Sequence, residues 1–456
     1  MIDKLSSFRP ISSFAPSKGL RPEACFVMDV CSLARKDLAR QVLARLASVT
    51  LVLALCWGMA AASIAQPLPS RASTDDTALA RGLHFVEDAG AETLGIVVDL
   101  SREVQVRHEM LIEPNRLVID LENTVFANLP APGLGRAVGP ISAWRAGLFL
   151  MGRSRIVLDL QRPVLVQRVD FVRQGPHTRL VIQLRGANAA EFTQKAEQDQ
   201  RNRHATRLPE TPSTPRPAGA RPLIVLDPGH GGIDPGASGP KGEAEKDIVL
   251  AVARLVRAQL EADGRVEVQM TREDDRFVSL GERVAFARNR SAALFVSLHA
   301  DSLFGEADVR GASVYTLSDR ASDAAAARAA EKENRADVAA GLEAPEDQRE
   351  GVDNILFDLA RRETRIFSQL AARNVAQSIQ KAGRLHKTPL RSAGFRVLRA
   401  PDMPSILVEL GYLSNPEDVA ALIQEAGRQK LASSLALALL DFVLNNRVSI
   451  SAKPLE

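Results

Sequence analysis

Two kinds of hydrophobic pattern divide the chain. From about His84 to Leu184, apolar residues fall in short β-branched runs at Leu94 to Leu100, Arg116 to Leu121, Arg155 to Leu160 and Arg179 to Leu184, which predict strands. Three of these runs nearly repeat one another: RLVIDL at 116–121, RIVLDL at 155–160 and RLVIQL at 179–184. In each, the apolar side chains are set to fill a sheet core while Arg and Asp or Gln face out. The expectation is a small all-β sandwich over residues 78–190, a binding domain in which His84, His108 and His177 are scattered surface or core residues. Over 191–219 the periodicity stops, and Thr211-Pro212-Ser213-Thr214-Pro215-Arg216-Pro217 reads as a stiffened linker with nothing to bury.

From Arg221 onward strands and helices alternate. A buried-type strand at Leu223 to Asp227 leads into a Gly-rich turn and then a helix from about Glu245 to Leu260, with Ile248, Leu250, Ala251, Ala253, Leu255, Val256 and Leu260 forming its apolar stripe. Strands are expected at Val266 to Met270, Ala293 to Leu298, Ala312 to Leu317, Phe395 to Leu398 and Ser405 to Leu410. Helices are expected near Leu280 to Asn289, Glu363 to Lys381 and Lys430 to Asn445. This order implies an α/β domain over 220–445, with an open, mostly parallel sheet flanked by helices. Within it, residues 320–362 form an insert whose Ala-rich, charged stretch Ala321 to Ala340 is helical in composition.

The first 65 residues follow neither pattern. Arg35, Lys36, Arg40 and Arg45 precede an apolar run from Val49 to Ala62 that ends in Ser63-Ile64-Ala65, the arrangement of an export signal. A retained anchor is the alternative, although the run is shorter than the roughly 20 residues that span a bilayer comfortably. The stretch before the run is long for a signal, which makes Met28 a second candidate start. Residues 1–65 hold eight of the 58 basic and four of the 55 acidic residues, so the remainder carries 50 against 51. Near-neutrality argues against nucleic acid as a partner. Cys25, Cys31 and Cys56 also lie in this leader, leaving the exported part without thiols, so a metal site there uses nitrogen and oxygen ligands. The length of 456 residues suits two or three domains, and 45% hydrophobic against 25% charged residues is a globular balance.

Open sheets carry their chemistry beyond the carboxyl ends of the strands. His230 lies there in Asp227-Pro228-Gly229-His230-Gly231-Gly232, His299 ends the strand Leu294 to Leu298, and Glu409 lies near the end of Ser405 to Leu410. The glycines permit a tight turn that aims one imidazole back over the sheet edge. Glu245 offers an oxygen at the start of the next helix, where a carboxylate is also favoured as a simple cap; Glu243 is a rival on spacing. Two imidazoles and one carboxylate suit a catalytic zinc ion with one open position, and iron or manganese accept the same ligand types. Glu409, in the apolar context Ile406-Leu407-Val408-Glu409-Leu410-Gly411, is a candidate base for a bound water or else half of an internal salt bridge. His386 is a candidate for substrate or oxyanion contact, or a surface residue.

These motifs resemble the zinc-dependent N-acetylmuramoyl-L-alanine amidases of bacterial cell-wall turnover, in particular the periplasmic, division-associated type. The matching stretches are LDPGHGGIDPGASG at 226–239, EKDIVL at 245–250, FVSLHAD at 295–301, GASVYTLS at 311–318 and LHKTPLRSAGFRVLRAPDMPSILVELGYLSNPED at 385–418. The resemblance implies that His230, Glu245 and His299 bind zinc and that Glu409 is the catalytic acid/base. It implies hydrolysis of the amide between N-acetylmuramic acid and L-alanine, for wall turnover and daughter-cell separation. The sandwich is similar to the AMIN-like module that directs such enzymes to peptidoglycan at the septum. The insert resembles those that fold over the zinc as a regulatory helix, displaced by a periplasmic activator with coiled-coil and metallopeptidase-like parts; Glu331, Glu333 and Asp337 are then the candidate blocking residues. A zinc carboxypeptidase acting on stem peptides, and a non-catalytic wall-binding protein, are the competing readings.

Overall fold

The computed structural model of the chain describes residues 77–446 apart from 89–92, 128–133, 136, 151, 176, 205–215, 218, 304–307 and 344–354. The leader, its apolar run, the three cysteines and most of the Thr/Pro-rich stretch lie outside the described residues. Among the described residues, no helix is long and apolar enough to cross a membrane.

The first domain consists of two facing sheets. One has the order β5-β1-β2-β10-β9, from β1 (Ala78–Asp88), β2 (Thr93–Leu100), β5 (Thr124–Phe126), β9 (Val164–Gln174) and β10 (His177–Gly186). The other has the order β3-β4-β8-β7-β6, from β3 (Val106–Leu111), β4 (Arg116–Glu122), β6 (Leu134–Gly135), β7 (Ile141–Leu150) and β8 (Arg153–Leu160). All neighbours are antiparallel except β1 and β5. Ile96, Val98, Leu117, Ile119, Ile156 and Leu180 meet between the sheets, as alternation demands.

Two expectations fail here, each for a physical reason. The stretch after Glu191 begins with a helix, α1 (Ala189–His204). It is polar overall, yet Phe192 and Ala196 on one face are buried in the sandwich core and Asp199 accepts a hydrogen bond from the Met110 backbone at 2.9 Å. The Arg and Asp of the repeats do not all face water either. Arg179 and Gln183 on β10 are exposed, as expected, but Arg116, Asp120 and Arg155 on β4 and β8 are buried, because part of the second domain covers that face.

The second domain is a six-stranded sheet of order β12-β11-β13-β16-β14-β15. Its strands are β11 (Leu223–Pro228), β12 (Glu267–Met270), β13 (Leu294–His299), β14 (Ala312–Leu317), β15 (Leu385–Ala393) and β16 (Ser405–Glu409). Every pairing is parallel except that of β14 with β16. Residues 396–398, expected in a strand, form a 3-10 turn, while the segment holding His386, for which no strand is expected, is the edge strand β15. Helices α2 (Glu245–Asp263), α6 (Ile355–Ala382), α7 (Pro416–Ile423) and α8 (Glu425–Asn445) cover one sheet face, against Ile224, Leu226, Val296 and Val408. The other face carries α3 (Leu280–Arg288) and α4 (Ala324–Glu333), whose Ala326, Ala329 and Ala330 pack with Val225, Phe295 and Tyr315. Small side chains let α4 lie close to the sheet, and a short helix α5 (Ala336–Ala339) follows it.

The turn after β11 is anchored from below. Asp227, fully buried, accepts hydrogen bonds from Thr271 Oγ1 at 2.6 Å, Arg283 at 2.7 Å and Ser297 Oγ at 2.7 Å. Arg283 also donates to the Pro228 and His230 carbonyls, and Arg272 to those of Pro228 and Gly229. Burial alone raises the Asp227 carboxyl, but Arg283 and the two hydroxyls outweigh it and hold the group below the ordinary aspartate range. This contribution to stability is complete above the unfolded aspartate pKa and is lost as pH falls through the lower folded value. Replacing Asp227 with Ala strands the Arg283 charge, and the expected loss is about 3–5 kcal/mol, measured by denaturant unfolding at neutral pH.

Candidate active site and metal centre

Parallel pairing brings the sequence motifs to one edge. Pro228 on β11 lies beside Leu298 on β13, and His299 on β13 lies beside Glu409 on β16. The chain leaves β11 through Gly229 and enters His230 at φ 59°, a left-handed conformation held by the arginine contacts to its carbonyl and its neighbours'. Glycine is required at two flanking positions. A Cβ on Gly229 would overlap the His299 ring, and one on Gly236 (φ 70°) would lie 2.6 Å from His230 Cδ2 and 2.7 Å from Glu245 Oε2.

The two imidazoles pack edge to face with centroids 4.9 Å apart. His230 Nδ1 pairs with Asp234 Oδ2 at 2.8 Å, which orients the ring and leaves Nε2 directed into the site. That nitrogen is buried with no hydrogen-bond partner. Glu245, the first residue of α2, is fully buried beside both rings, with Oε2 3.2 Å from His230 Nε2 and Oε1 3.2 Å from His299 Nδ1. Its oxygens also accept from the Ala237 and Ala300 backbone at 2.8 Å each. Glu243 instead turns back to accept from the Lys241 backbone.

A second carboxylate enters from the insert. Glu333, at the end of α4, places Oε2 3.4 Å from His230 Nε2 and 3.3 Å from His299 Nδ1, and its Oε1 is buried without a hydrogen-bond partner. Ligand atoms of His230, His299 and Glu333 all lie within 4.8 Å of one another. An orphaned imidazole nitrogen, an orphaned carboxylate oxygen and a second carboxylate converging on one point form a donor set suited to a divalent cation. Burial opposes protonation of both histidines, but the carboxylates outweigh it: Asp234, Glu245 and Glu333 raise His230 well above its usual range, and Glu333 and Glu245 raise His299. The centre is thus negative enough to demand positive charge.

Glu409 is also buried and accepts its hydrogen bond from the Asp301 backbone at 3.0 Å rather than from an arginine. Burial, reinforced by the nearby Asp301 carboxylate, pushes the Glu409 carboxyl up to about 8. Lys332, next to Glu333, pairs with Asp301, so the insert contributes both a carboxylate to the histidines and a cation to the acidic group beside them.

The other sequence candidates fall outside this cluster. Glu331 pairs with Arg335 at the surface, and Asp337 accepts from the Leu280 backbone at 2.9 Å, at the start of α3. His386 packs its ring 6.1 Å from that of Tyr412 and bonds within its own strand. His84, half-paired with Asp99, and His177 are exposed, while His108 is partly buried. Sequence reasoning passed over Asp234, Arg272 and Arg283. Asp234 has a signal in retrospect, four residues after His230 in the same Gly-rich loop; the arginines have none, being ordinary basic residues until folding brings them under the turn.

Comparison with known proteins identifies the family. Residues 224–441 match the family profile described as N-acetylmuramoyl-L-alanine amidase, and residues 83–165 match the AMIN domain. The chain is 37% identical over 357 residues to the N-acetylmuramoyl-L-alanine amidase AmiC of Neisseria meningitidis serogroup B, an alignment covering 75% of this chain and 85% of the relative. It is 35% identical over 354 residues to AmiC of Escherichia coli O6:H1, covering 75% and 84% respectively. Among solved structures, AmiC2 of Nostoc punctiforme aligns at 29% identity and a TM-score of 0.35, covering 49% of this chain and 98% of that one. The chain belongs to the N-acetylmuramoyl-L-alanine amidases, enzymes that act on peptidoglycan, and carries an AMIN domain ahead of its catalytic domain.

Proposed function

We propose that His230, Glu245 and His299 hold a catalytic zinc ion, that Glu409 is the acid/base, and that Glu333 occupies the substrate's place at the metal in the intact chain. The single observation that carries this reading is the buried Nε2 of His230, which makes no hydrogen bond yet lies within 3.4 Å of carboxylate oxygens of both Glu245 and Glu333, beside His299. Zinc, when bound, supplies the Lewis acidity that polarises the scissile carbonyl and makes water a nucleophile near neutral pH. The protein's own groups do the rest. Asp234 fixes the His230 tautomer, and backbone N–H groups of Ala237 and Ala300 orient Glu245. Glu409, whose proton affinity burial has raised into the neutral range, takes the proton from water and returns it to the nitrogen of the departing L-alanine.

Glu333 makes this a closed state. Its carboxylate oxygen stands where a substrate carbonyl or water has to bind, and Lys332 neutralises Asp301 beside the acid/base. Opening requires α4 to leave, which supports a periplasmic activator that displaces it. The AMIN match and the AmiC relatives support a periplasmic, septum-associated site of action on the wall, with residues 1–65 as the export signal.

Three experiments bear on this. Glu333→Ala should raise hydrolysis of purified peptidoglycan at least about tenfold without activator, since the block removed is a charge-assisted contact; mass spectrometry should find the whole stem peptide released from muramic acid, whereas free single amino acids would mean a carboxypeptidase. Glu409→Gln in that background should retain its zinc, by elemental analysis, while turnover drops by about 10²–10⁴; undiminished turnover would remove Glu409 from the mechanism. Asp234→Asn should keep the fold but weaken zinc binding about 10- to 100-fold in a chelator competition, the usual cost of losing an outer partner of a ligating histidine.

A further inference from the structure

The outer face of the second sandwich sheet has a composition that neither a solvent face nor a core explains. Arg116 and Asp159 are cross-strand partners on it, as are Val118 with Val157 and Asp120 with Arg155. Arg145, from β7, forks onto Asp159 at 2.7 and 3.1 Å, and Arg155 forks onto Asp120 at 2.6 and 2.9 Å. Each arginine also points one donor away from its own domain. Arg116 donates to the Val338 carbonyl and, at 3.3 Å, to that of Leu342; Arg145 donates to Ala339; Arg155 donates to Ala340 at 3.2 Å and Gly341 at 3.3 Å. The accepting carbonyls are successive, and they belong to the end of α5 and the turn after it, five to nine residues beyond Glu333.

Charge and shape both match. Carbonyl oxygens at the end of a helical turn carry partial negative charge, which cations complement. Between the arginines, Val118 and Val157 pack with Ala340 of the insert, and Phe149 stacks on Phe277 with centroids 5.7 Å apart. Gly341 sits at φ 75° with no room for a side chain, since a Cβ there would lie 2.8 Å from Val118 and 2.9 Å from Val157. On the other side, Asn334 ties the start of this segment to the Gly394 carbonyl and the Arg396 amide. The blocking residue is therefore bracketed between α4, bedded on the catalytic sheet, and a turn gripped by the sandwich.

We propose that the AMIN-type sandwich is a clamp on the blocking segment: through Arg116, Arg145 and Arg155 it holds residues 338–342 and thereby keeps Glu333 in the metal centre, so separation of the two domains and opening of the site are coupled events. The coupling to activity rests on the reading of Glu333 as the block; the clamp itself does not.

The test uses the full chain and two variants that grip the contact from opposite sides, Arg116→Met in the sandwich and Gly341→Val in the insert, with Glu333→Ala as the reference for a directly removed block. Hydrogen exchange followed by mass spectrometry reads the segment itself, and exchange of β4, β8 and β13 reports whether each domain is folded. In both variants amides across 324–342 should exchange about tenfold faster, the change expected from losing one charge-assisted hydrogen bond, with the sheets unaltered, and basal peptidoglycan hydrolysis should rise toward that of Glu333→Ala. Unchanged protection of 324–342 in either folded variant overturns the clamp, and because Gly341→Val leaves the sandwich sequence intact, a misfolded Arg116→Met does not remove the test. Faster exchange with basal hydrolysis unmoved, while Glu333→Ala is active, overturns the coupling. Faster exchange with Glu333→Ala itself inactive sinks the block and leaves the clamp standing.

Discussion

Parallel pairing of three neighbouring strands is the constraint from which the site follows. Because β11, β13 and β16 run in the same direction and in register, their carboxyl ends arrive together, and residues 70 and 110 positions apart become neighbours. The price of that convergence is several carboxylates and imidazoles crowded out of water, which only a network of compensating contacts makes tolerable. Asp227 and Arg283 beneath the His230 turn supply one such contact, and the backbone amides on Glu245 another. The architecture thus separates two tasks. A buried ion pair and a second buried arginine below the edge set the backbone, and the edge itself is left with atoms whose hydrogen-bonding capacity is unspent.

That unspent capacity explains why the insert matters. A carboxylate delivered on α4 satisfies two imidazoles at once, and the neighbouring lysine satisfies Asp301. Such a segment binds well for the same reason a substrate does, because it offers charge to groups that are desolvated and incompletely paired. The small residues Ala326, Ala329 and Ala330 bed the helix on the sheet without the large apolar anchors that would make removal costly. The segment is thus held at the site by polar contacts from Glu333 and Lys332 and by small side chains packed on the sheet.

The sandwich is not an appendage in this arrangement. Its central strands β4 and β8 are buried on both faces, one against the sandwich core and the other against the turn that follows α5. Ile233, three residues past His230, also donates its backbone N–H to Leu148 of β7 at 3.0 Å, so the same surface meets the loop carrying one imidazole and the segment carrying Glu333.

Local chemistry was enough to read much of this from the chain. Period-two runs marked strands β2, β4, β8 and β10, apolar runs marked β11, β13 and β16, and the glycines around His230 and the position of Glu245 at a helix start are legible because they depend on neighbours in sequence. What required tertiary structure were facts about which surface meets which. The three repeats RLVIDL, RIVLDL and RLVIQL have one pattern but two environments: Arg179 faces water, while Arg116 and Arg155 are buried under residues 338–342, and no local signal distinguishes them. Helix α1 is polar by composition, and Phe192, Ala196 and Asp199 dock it on the sandwich. Of Glu331, Glu333 and Asp337 in the insert, only Glu333 is brought beside His230 and His299, because the rotation and depth of a helix are set by what it packs against, and burial is a property of the partner surface as much as of the residue.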